Sequence, residues 1–188
     1  MKHILPILTL TTLAAAASAQ SAAAPAGLNY NRVSFSRSSQ DNVISAETLV
    51  GGNVLIGLTM TNDAANGSEP QLNVGYVFKN VTSGIDATVY VAQAQWETTA
   101  YGLNLRRSLS EIFPGLEVSV SYVDTFSSDQ PSTYIAHGGV PINGDSAFAV
   151  ELAYNINSKF QAAVGYVSCD GPSYRDNSRM VATLRVNF

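Results

Sequence analysis

Several residue types are scarce in this chain of 188 residues, and each scarcity argues against a class of protein. Cys169 is the single cysteine, so the chain forms no internal disulfide. The two histidines, His3 and His137, and the scattered carboxylates have no metal-ligand spacing, so we expect neither a metal nor a cofactor. Beyond residue 19, no apolar run reaches the roughly 18 to 20 residues that a membrane-spanning helix needs. A disulfide scaffold, a metalloenzyme and a helical membrane protein are therefore not expected.

Charge is also sparse. Ten basic and fourteen acidic residues give a net charge of −4 at pH 7. This acidic balance gives no reason to expect nucleic-acid binding. The chain shows no repeat of fixed period and no boundary between domains, and its length fits a single domain.

The N-terminal residues have the parts of a secretory signal peptide. Lys2 and His3 give a short positive start, residues 4–17 are mostly apolar, and Ala17-Ser18-Ala19 fits the small-x-small cleavage rule. We therefore expect residues 1–19 to be removed on export. No cysteine lies near the cleavage site, so we expect no lipid anchor.

Beyond residue 30, apolar and polar residues alternate in about ten short segments. A side-chain period of two predicts a β-strand with one apolar face. The ten predicted strands are residues 30–38, 43–50, 54–61, 72–79, 87–96, 101–107, 116–123, 147–156, 160–166 and 179–188. The six prolines beyond residue 19 all fall outside these segments, as expected for a residue that donates no ladder hydrogen bond.

The connections between the predicted strands alternate in length. Residues 51–53, 81–84, 108–115 and 157–158 are mostly compact, whereas residues 62–70, 126–145 and 169–178 are longer and polar. Short turns on one side and long loops on the other are typical of outer-membrane barrels. The polar faces carry small or charged side chains, so we predict that the apolar faces point outward. Aromatic residues then fall near both rims, as girdles require: Tyr30, Phe78, Tyr154, Phe160 and Phe188 at one, Tyr122 and Tyr166 at the other.

The last ten residues strengthen this interpretation. Met180, Ala182, Leu184, Val186 and the terminal Phe188 alternate with polar-side residues, a pattern that resembles the C-terminal assembly signal of Gram-negative outer-membrane β-barrels. With the signal peptide, the alternating segments and turn approaches such as Tyr154-Asn155-Ile156-Asn157, the chain resembles small barrels of the OmpX, opacity-protein or OmpA-barrel type.

The resemblance implies an all-β fold, a transmembrane antiparallel up-and-down β-barrel. We predict ten strands, with eight as the alternative if residues 43–50 or 87–96 merge with a neighbour, because closure leaves no unpaired edge in lipid. Residues 20–29 would form a short periplasmic segment and residues 30–188 the barrel. Its expected partners are outer-membrane lipid and the barrel-assembly machinery.

The predicted register turns six charged residues toward the interior. They are three basic and three acidic residues: Arg32, Glu47, Arg106, Glu117, Glu151 and Arg185. A barrel of eight to ten strands is narrow and mostly filled by side chains. Balanced charges there predict a network of mutually neutralising pairs, whereas a row of one sign would predict a selectivity filter.

The function classes follow from these features. His137 with Ser146 and Glu151 suggests a Ser-His-Glu hydrolase, but the His-x-Ser-Asn signature of lipid A deacylases is absent, so we predict no enzyme. The resemblance implies a structural or surface-interaction role, with loops 62–70, 126–145 and 169–178 open to a surface ligand. A narrow channel for ions or small solutes is one alternative. A soluble periplasmic lipocalin-like ligand-binding barrel is another, and it requires four residues to face inward: Val54, Ile56, Leu58 and Met60.

Overall fold

The computed structural model describes residues 28–39, 41–63, 67–94, 98–125, 133–136, 140–143, 146–170 and 178–188. The predicted signal peptide, most of segment 20–29 and His137 lie outside these residues. The strands are β1 Arg32–Arg37, β2 Asp41–Val50, β3 Val54–Asp63, β4 Gly67–Thr82, β5 Ile85–Ala94, β6 Thr98–Ser108, β7 Leu116–Thr125, β8 Thr133–Ala136, β9 Val140–Asn143, β10 Ser146–Asn155, β11 Phe160–Asp170 and β12 Arg179–Asn187. In the part of the chain described here, no helix is long and apolar enough to cross a membrane.

Ten of these strands close into an antiparallel barrel. Their order around the wall is β1-β12-β11-β10-β7-β6-β5-β4-β3-β2, so the first and last strands complete the circle. Strands β8 and β9 form a separate two-stranded hairpin between β7 and β10. The prediction of ten strands is confirmed and the alternative of eight is wrong. Both of the weaker segments are full strands, because β2 pairs with β1 and β3, and β5 pairs with β4 and β6.

The two ends of the barrel differ in their connections. At one end, the strands are joined through residues 51–53, 83–84, 109–115 and 156–159, and we call this the short-turn end. Gly51 and Gly52 have positive φ values of 62° and 89°, which glycine adopts without strain. The opposite end, where β7 ends at Thr125 and β10 begins at Ser146, is called the loop end.

The structure corrects three details of the predicted map. Strand β3 continues to Asp63 and β4 begins at Gly67, so most of the predicted loop 62–70 is strand. Pro70 lies in β4 opposite Met60, so the prediction that every proline falls outside the strands is wrong at this residue. Pro141 lies in β9 and Cys169 in β11, so neither is a loop residue.

The faces of the strands are assigned by burial. In β10, residues at alternate positions from Ala147 are buried and those from Phe148 are exposed. Val54, Ile56, Leu58 and Met60 are 38%, 38%, 63% and 51% exposed. The inward orientation required by the lipocalin-like alternative is therefore wrong, because Leu55, Gly57, Thr59 and Thr61 occupy the inner face of β3.

Glycines make room for the larger inward side chains. Tyr90 of β5 is flanked by Gly75 of β4 and Gly102 of β6, each directly opposite it in the ladder. A Cβ at residue 102 would lie 2.4 Å from Cζ of Tyr90, inside van der Waals contact. Glu47 faces Gly57 and Glu151 faces Gly165 in the same manner. The interior is thus packed by matching a large side chain with a residue that has none.

Candidate functional site in the barrel lumen

Three ion pairs occupy the interior toward the short-turn end. Arg32 Nε lies 3.2 Å from Glu47 Oε2, and Arg106 Nη2 lies 2.9 Å from Glu117 Oε2. Arg185 Nη2 donates to both oxygens of Glu151, at 2.7 and 2.6 Å. Every one of these six side chains is 6% exposed or less. The structure thus places all six predicted inward charges in the interior and brings them together as pairs.

Two amide side chains link two of the pairs into one hydrogen-bonded chain. Arg185 Nη1 donates to Gln161 Oε1 at 2.8 Å, and Gln161 Nε2 donates to Asn155 Oδ1 at 2.9 Å. Asn155 Nδ2 then donates to Glu117 Oε1 at 2.7 Å. We call these two amides and the six charged residues the charge belt. Gln161 and Asn155 were not predicted as members of this network. Their inward positions on predicted strands could have indicated them.

The pairs run along the wall of the barrel. Arg32 and Glu47 lie on the neighbouring strands β1 and β2, and Arg106 and Glu117 lie on the neighbours β6 and β7. Arg185 and Glu151 reach over β11, the strand between β12 and β10. Among the described residues, none of these three pairs joins opposite walls, so each pair lies along one side of the lumen.

The residues before β1 enter the same end of the barrel. Tyr30 is 3% exposed and packs against Leu55 and Val77. Its hydroxyl donates to Asp86 Oδ2 at 2.8 Å, and its ring lies 4.8 Å from Cζ of Arg106. Burial raises the pKa of the Tyr30 hydroxyl well above its ordinary value, so this group remains a protonated donor even in alkaline solution. The prediction of Tyr30 in an outer aromatic girdle is wrong, because it precedes the strand whose alternation would direct it.

The interior toward the loop end has a different lining. Small apolar residues and one tyrosine form a buried cluster there: Tyr90, Ala92, Ala100, Val123, Ala147, Ala149, Val167 and Val181. Hydroxyl and amide side chains line the remaining wall, among them Ser34, Ser45, Thr59 and Gln71. Arg179, which the sequence placed on the polar face but not among the inward charges, is also buried in this half.

Several of these polar atoms have no hydrogen-bond partner within the described ranges. They include the hydroxyls of Ser34, Ser45 and Thr88 and both amide atoms of Gln71. Their residues are at most 4% exposed. Such groups are costly to bury unless water or a solute satisfies them, so this wall favours a polar occupant.

The outer surface is apolar along the middle of the barrel and aromatic toward its ends. Tyr76 and Phe78 contact each other near the short-turn end, with ring centroids 4.8 Å apart. Toward the loop end, the hydroxyls of Tyr101 and Tyr122 both donate to Asp124 Oδ2, at 3.1 and 3.2 Å. The predicted outward positions of Phe78, Tyr122, Tyr154, Tyr166 and Phe188 are confirmed, with exposures between 43% and 70%.

The C-terminal strand presents its apolar residues outward. Met180, Leu184 and Phe188 are 60%, 36% and 70% exposed, and Ala182 is exposed as well. Val186, on the same face, is half-buried. The Phe188 amide donates to Asn31 O at 3.0 Å, which joins the end of the chain to the start of β1.

The described residues provide no support for catalysis or metal binding. Glu151, the acid of the hydrolase considered above, is bound by Arg185 through two hydrogen bonds. Within the described ranges, no group of three or more histidine, cysteine, aspartate or glutamate side chains is arranged to hold a metal ion.

Comparison with known proteins gives structural neighbours only. No family model matches the chain, and no curated protein matches its sequence. The KdgM porin is 10% identical at a TM-score of 0.48, with 84% of this chain and 98% of that one covered. The KdgM porin in complex with disordered oligogalacturonate has a TM-score of 0.47 at the same identity and coverage. OccAB4 of Acinetobacter baumannii is 11% identical at a TM-score of 0.29, with 84% of this chain and 56% of that one covered. At these TM-scores, the likenesses carry no functional argument.

Proposed function

We propose that this protein is a bacterial outer-membrane β-barrel that crosses the bilayer with the ten strands of its barrel wall. The outward band of exposed apolar residues supports the proposal. On β10 and the following residue, the outward side chains from Phe148 to Ile156 are apolar or aromatic. At about 3.4 Å per residue this run is roughly 27 Å long, or roughly 20 Å along the barrel axis at a strand tilt of about 40°. That height approaches the roughly 25 Å apolar band of known outer-membrane barrels.

Within this barrel we propose a narrow channel for ions or small polar solutes, with the charge belt as its constriction. The observation that carries the proposal is the course of the three ion pairs along the wall. Buried ion pairs are seldom more stabilising than apolar side chains of equal volume, so packing alone gives no reason for six charges inside. Charged and polar groups around a lumen are what an ion or polar solute needs for passage.

Planar-bilayer recording of the purified protein tests this proposal. We expect small unitary currents in the wild type. Glu151→Gln leaves Arg185 with a neutral neighbour, so we expect altered conductance and a shift of selectivity toward anions. Glu111→Gln is the matched control, because Glu111 pairs with Arg107 at 2.6 Å on the exposed surface of the same end. The absence of unitary currents in the wild type, in Glu151→Gln and in Tyr30→Ala, which removes the ring packed against Leu55 and Val77, would overturn the channel.

A closed barrel that acts through its surface is the second candidate. The low exposure of the inward side chains favours it, since the belt residues and Ser34, Ser36 and Thr183 are all 6% exposed or less. In this candidate, the residues between β7 and β10, including the β8–β9 hairpin, face the medium and contact a surface ligand. An epitope inserted after Gly138 and stained on intact cells tests this orientation. Staining only after permeabilisation would contradict it.

We also propose that the outward residues of β12 together with Phe188 are read by the barrel-assembly machinery. Phe188→Ala is expected to lower the amount of assembled protein in the outer membrane several-fold. Refolding of the purified chain into detergent should be unaffected, because the side chain is 70% exposed. Phe78→Ala, at another exposed aromatic near the same end, is the control. Equal assembly of the two variants would remove this role from Phe188.

A further inference from the structure

We infer that residues 28–30 form a plug that closes the short-turn mouth of the lumen, and that releasing this plug opens the mouth. The inference concerns access to the lumen. Only its consequence for ion flow rests on the proposed channel function.

The plug spans the barrel from one wall to the other. It leaves β1 at Arg32, and β6 is the fifth strand from β1 in either direction around the wall. Nevertheless Arg106 of β6 donates from Nη1 to Asn29 O at 3.1 Å. A main-chain segment from one wall is therefore bonded to a side chain of the opposite wall, directly across the opening.

Tyr30 fills the opening beneath this crossing. Its ring packs on Leu55 and Val77, which face inward from β3 and β4. Its hydroxyl is bound to Asp86 of β5. Asp86 is itself fixed, since its Oδ1 accepts the Asn80 backbone amide at 2.8 Å. The Tyr30 side chain thus contacts the three neighbouring strands β3, β4 and β5. Strand β3 is the second strand from β1 around the wall.

The plug and the charge belt share a guanidinium group. Arg106 donates to Glu117 and to Asn29 O, and it also lies over the Tyr30 ring. Departure of the plug would remove two of these three contacts while leaving the ion pair with Glu117 intact. Opening the mouth therefore does not require any belt pair to break.

The chain is anchored directly after the plug, and a cavity lies beside the plug. Asn31 Oδ1 accepts the Thr48 hydroxyl and the Leu49 amide, at 3.0 and 2.9 Å, so the chain is anchored immediately after the plug. A cavity of about 590 Å³ lies beside Tyr30 at the mouth, with Leu28, Lys79 and Arg107 among its lining residues. In the proposed opening, the plug residues move into this space while the hydrogen bonds of Asn31 are kept.

Thiol labelling of the lumen tests the inference without any need for conduction. The reporter is Thr88→Cys, in a Cys169→Ser background, because Thr88 is 1% exposed and is the next inward residue of β5 beyond Asp86. A small water-soluble thiol reagent is added to the barrel in detergent. Tyr30→Ala then removes both the packing and the hydroxyl contact. Tyr154→Ala, at an outward tyrosine of the same end, is the matched control.

We expect Tyr30→Ala to raise the labelling rate at least tenfold and Tyr154→Ala to leave it unchanged. Tyr30→Phe should fall between, since it keeps the ring but loses the bond to Asp86. The heat-dependent gel shift of each variant verifies that the barrel is folded. Equal labelling rates in folded wild type and folded Tyr30→Ala would overturn the plug.

Bilayer recordings of the same variants separate the two proposals. Faster labelling without any current in Tyr30→Ala would support the plug and overturn the channel. Unitary currents of equal size and open probability in the wild type and Tyr30→Ala, with equal labelling, would support the channel and overturn the plug.

Discussion

The two halves of the lumen are built from different chemistry. Toward the short-turn end, six charges form three pairs and two amides connect them, with Tyr30 packed beneath. Toward the loop end, the walls carry alanines, valines and hydroxyl groups, and Tyr90 packs between glycines. Charge is concentrated where tight turns hold the strands. Among the described residues, the short-turn half therefore holds the three ion pairs, whereas the loop half buries Arg179 and is otherwise packed mainly by small side chains.

The difference also predicts how each half responds to substitution. Removing one member of a buried ion pair leaves an uncompensated charge, which is among the most destabilising changes in a protein interior. Changes in the loop half alter packing, and their cost depends on whether neighbouring atoms can move. Single substitutions of matched size should therefore be more harmful in the belt.

The largest effect is expected for Arg106→Ala. The change leaves the buried Glu117 carboxylate without its arginine partner and also removes the contacts to Asn29 and Tyr30. We expect a loss of about 3 to 5 kcal/mol in the free energy of unfolding, measured by urea titration of the protein refolded in lipid vesicles.

Arg107→Ala is the control for this prediction. Arg107 adjoins Arg106, but its pair with Glu111 is exposed, with side-chain exposures of 40% and 53%. Exposed pairs contribute at most about 1 kcal/mol, so this variant should remain close to the wild type. Losses of equal size at the two arginines would show that the interior position of Arg106 adds nothing.

An intermediate effect is expected in the loop half for Gly75→Ala. A Cβ there would lie 2.9 Å from the Val89 carbonyl oxygen and 3.0 Å from Tyr90 Cβ, and neither atom can move without the strand. We expect a cost of about 1 to 3 kcal/mol, typical of overpacking. The same urea titration measures it.

Gly102→Ala provides the comparison for Gly75→Ala. The three atoms nearest to its Cβ all belong to the far end of the Tyr90 side chain, which can shift at less cost than the backbone atom met at residue 75. We therefore expect a smaller cost, and Tyr90→Ala should abolish it. A cost at residue 102 that exceeds the cost at residue 75 would indicate that Tyr90 is held more rigidly than its surroundings imply.

The smallest of the three main effects, after Arg106→Ala and Gly75→Ala, is expected for Val123→Ala. Val123 is 1% exposed within the apolar cluster of the loop half. Loss of its two methyl groups should cost about 1 to 2 kcal/mol, between the values typical of Ile→Val and Leu→Ala. Thermal unfolding, monitored by the heat-dependent gel shift, measures this loss of stability. A cost equal to that of Arg106→Ala would remove the contrast between the two halves.

Residue alternation was enough to predict the strand count, the outward faces and the six inward charges. It did not predict which charges pair, because pairing depends on the stagger between strands. Glu151 reaches Arg185 over the whole width of β11, for example. Tyr30 was misplaced because it lies outside any strand, and Pro70 because β4 extends farther toward the loop end than the alternation of apolar residues indicated. These features depend on contacts between distant parts of the chain.

The central claim is that the apolar outer face of the barrel lies in lipid. Leu58 and its neighbour Thr59 test it most directly, since they are 63% and 4% exposed on opposite faces of β3. A fluorophore is attached to a single cysteine at either position in the Cys169→Ser chain, which is then refolded into vesicles that contain acyl-chain quenchers. We predict strong quenching at residue 58 and weak quenching at residue 59. Weak quenching at residue 58, or stronger quenching at residue 59, would contradict the account.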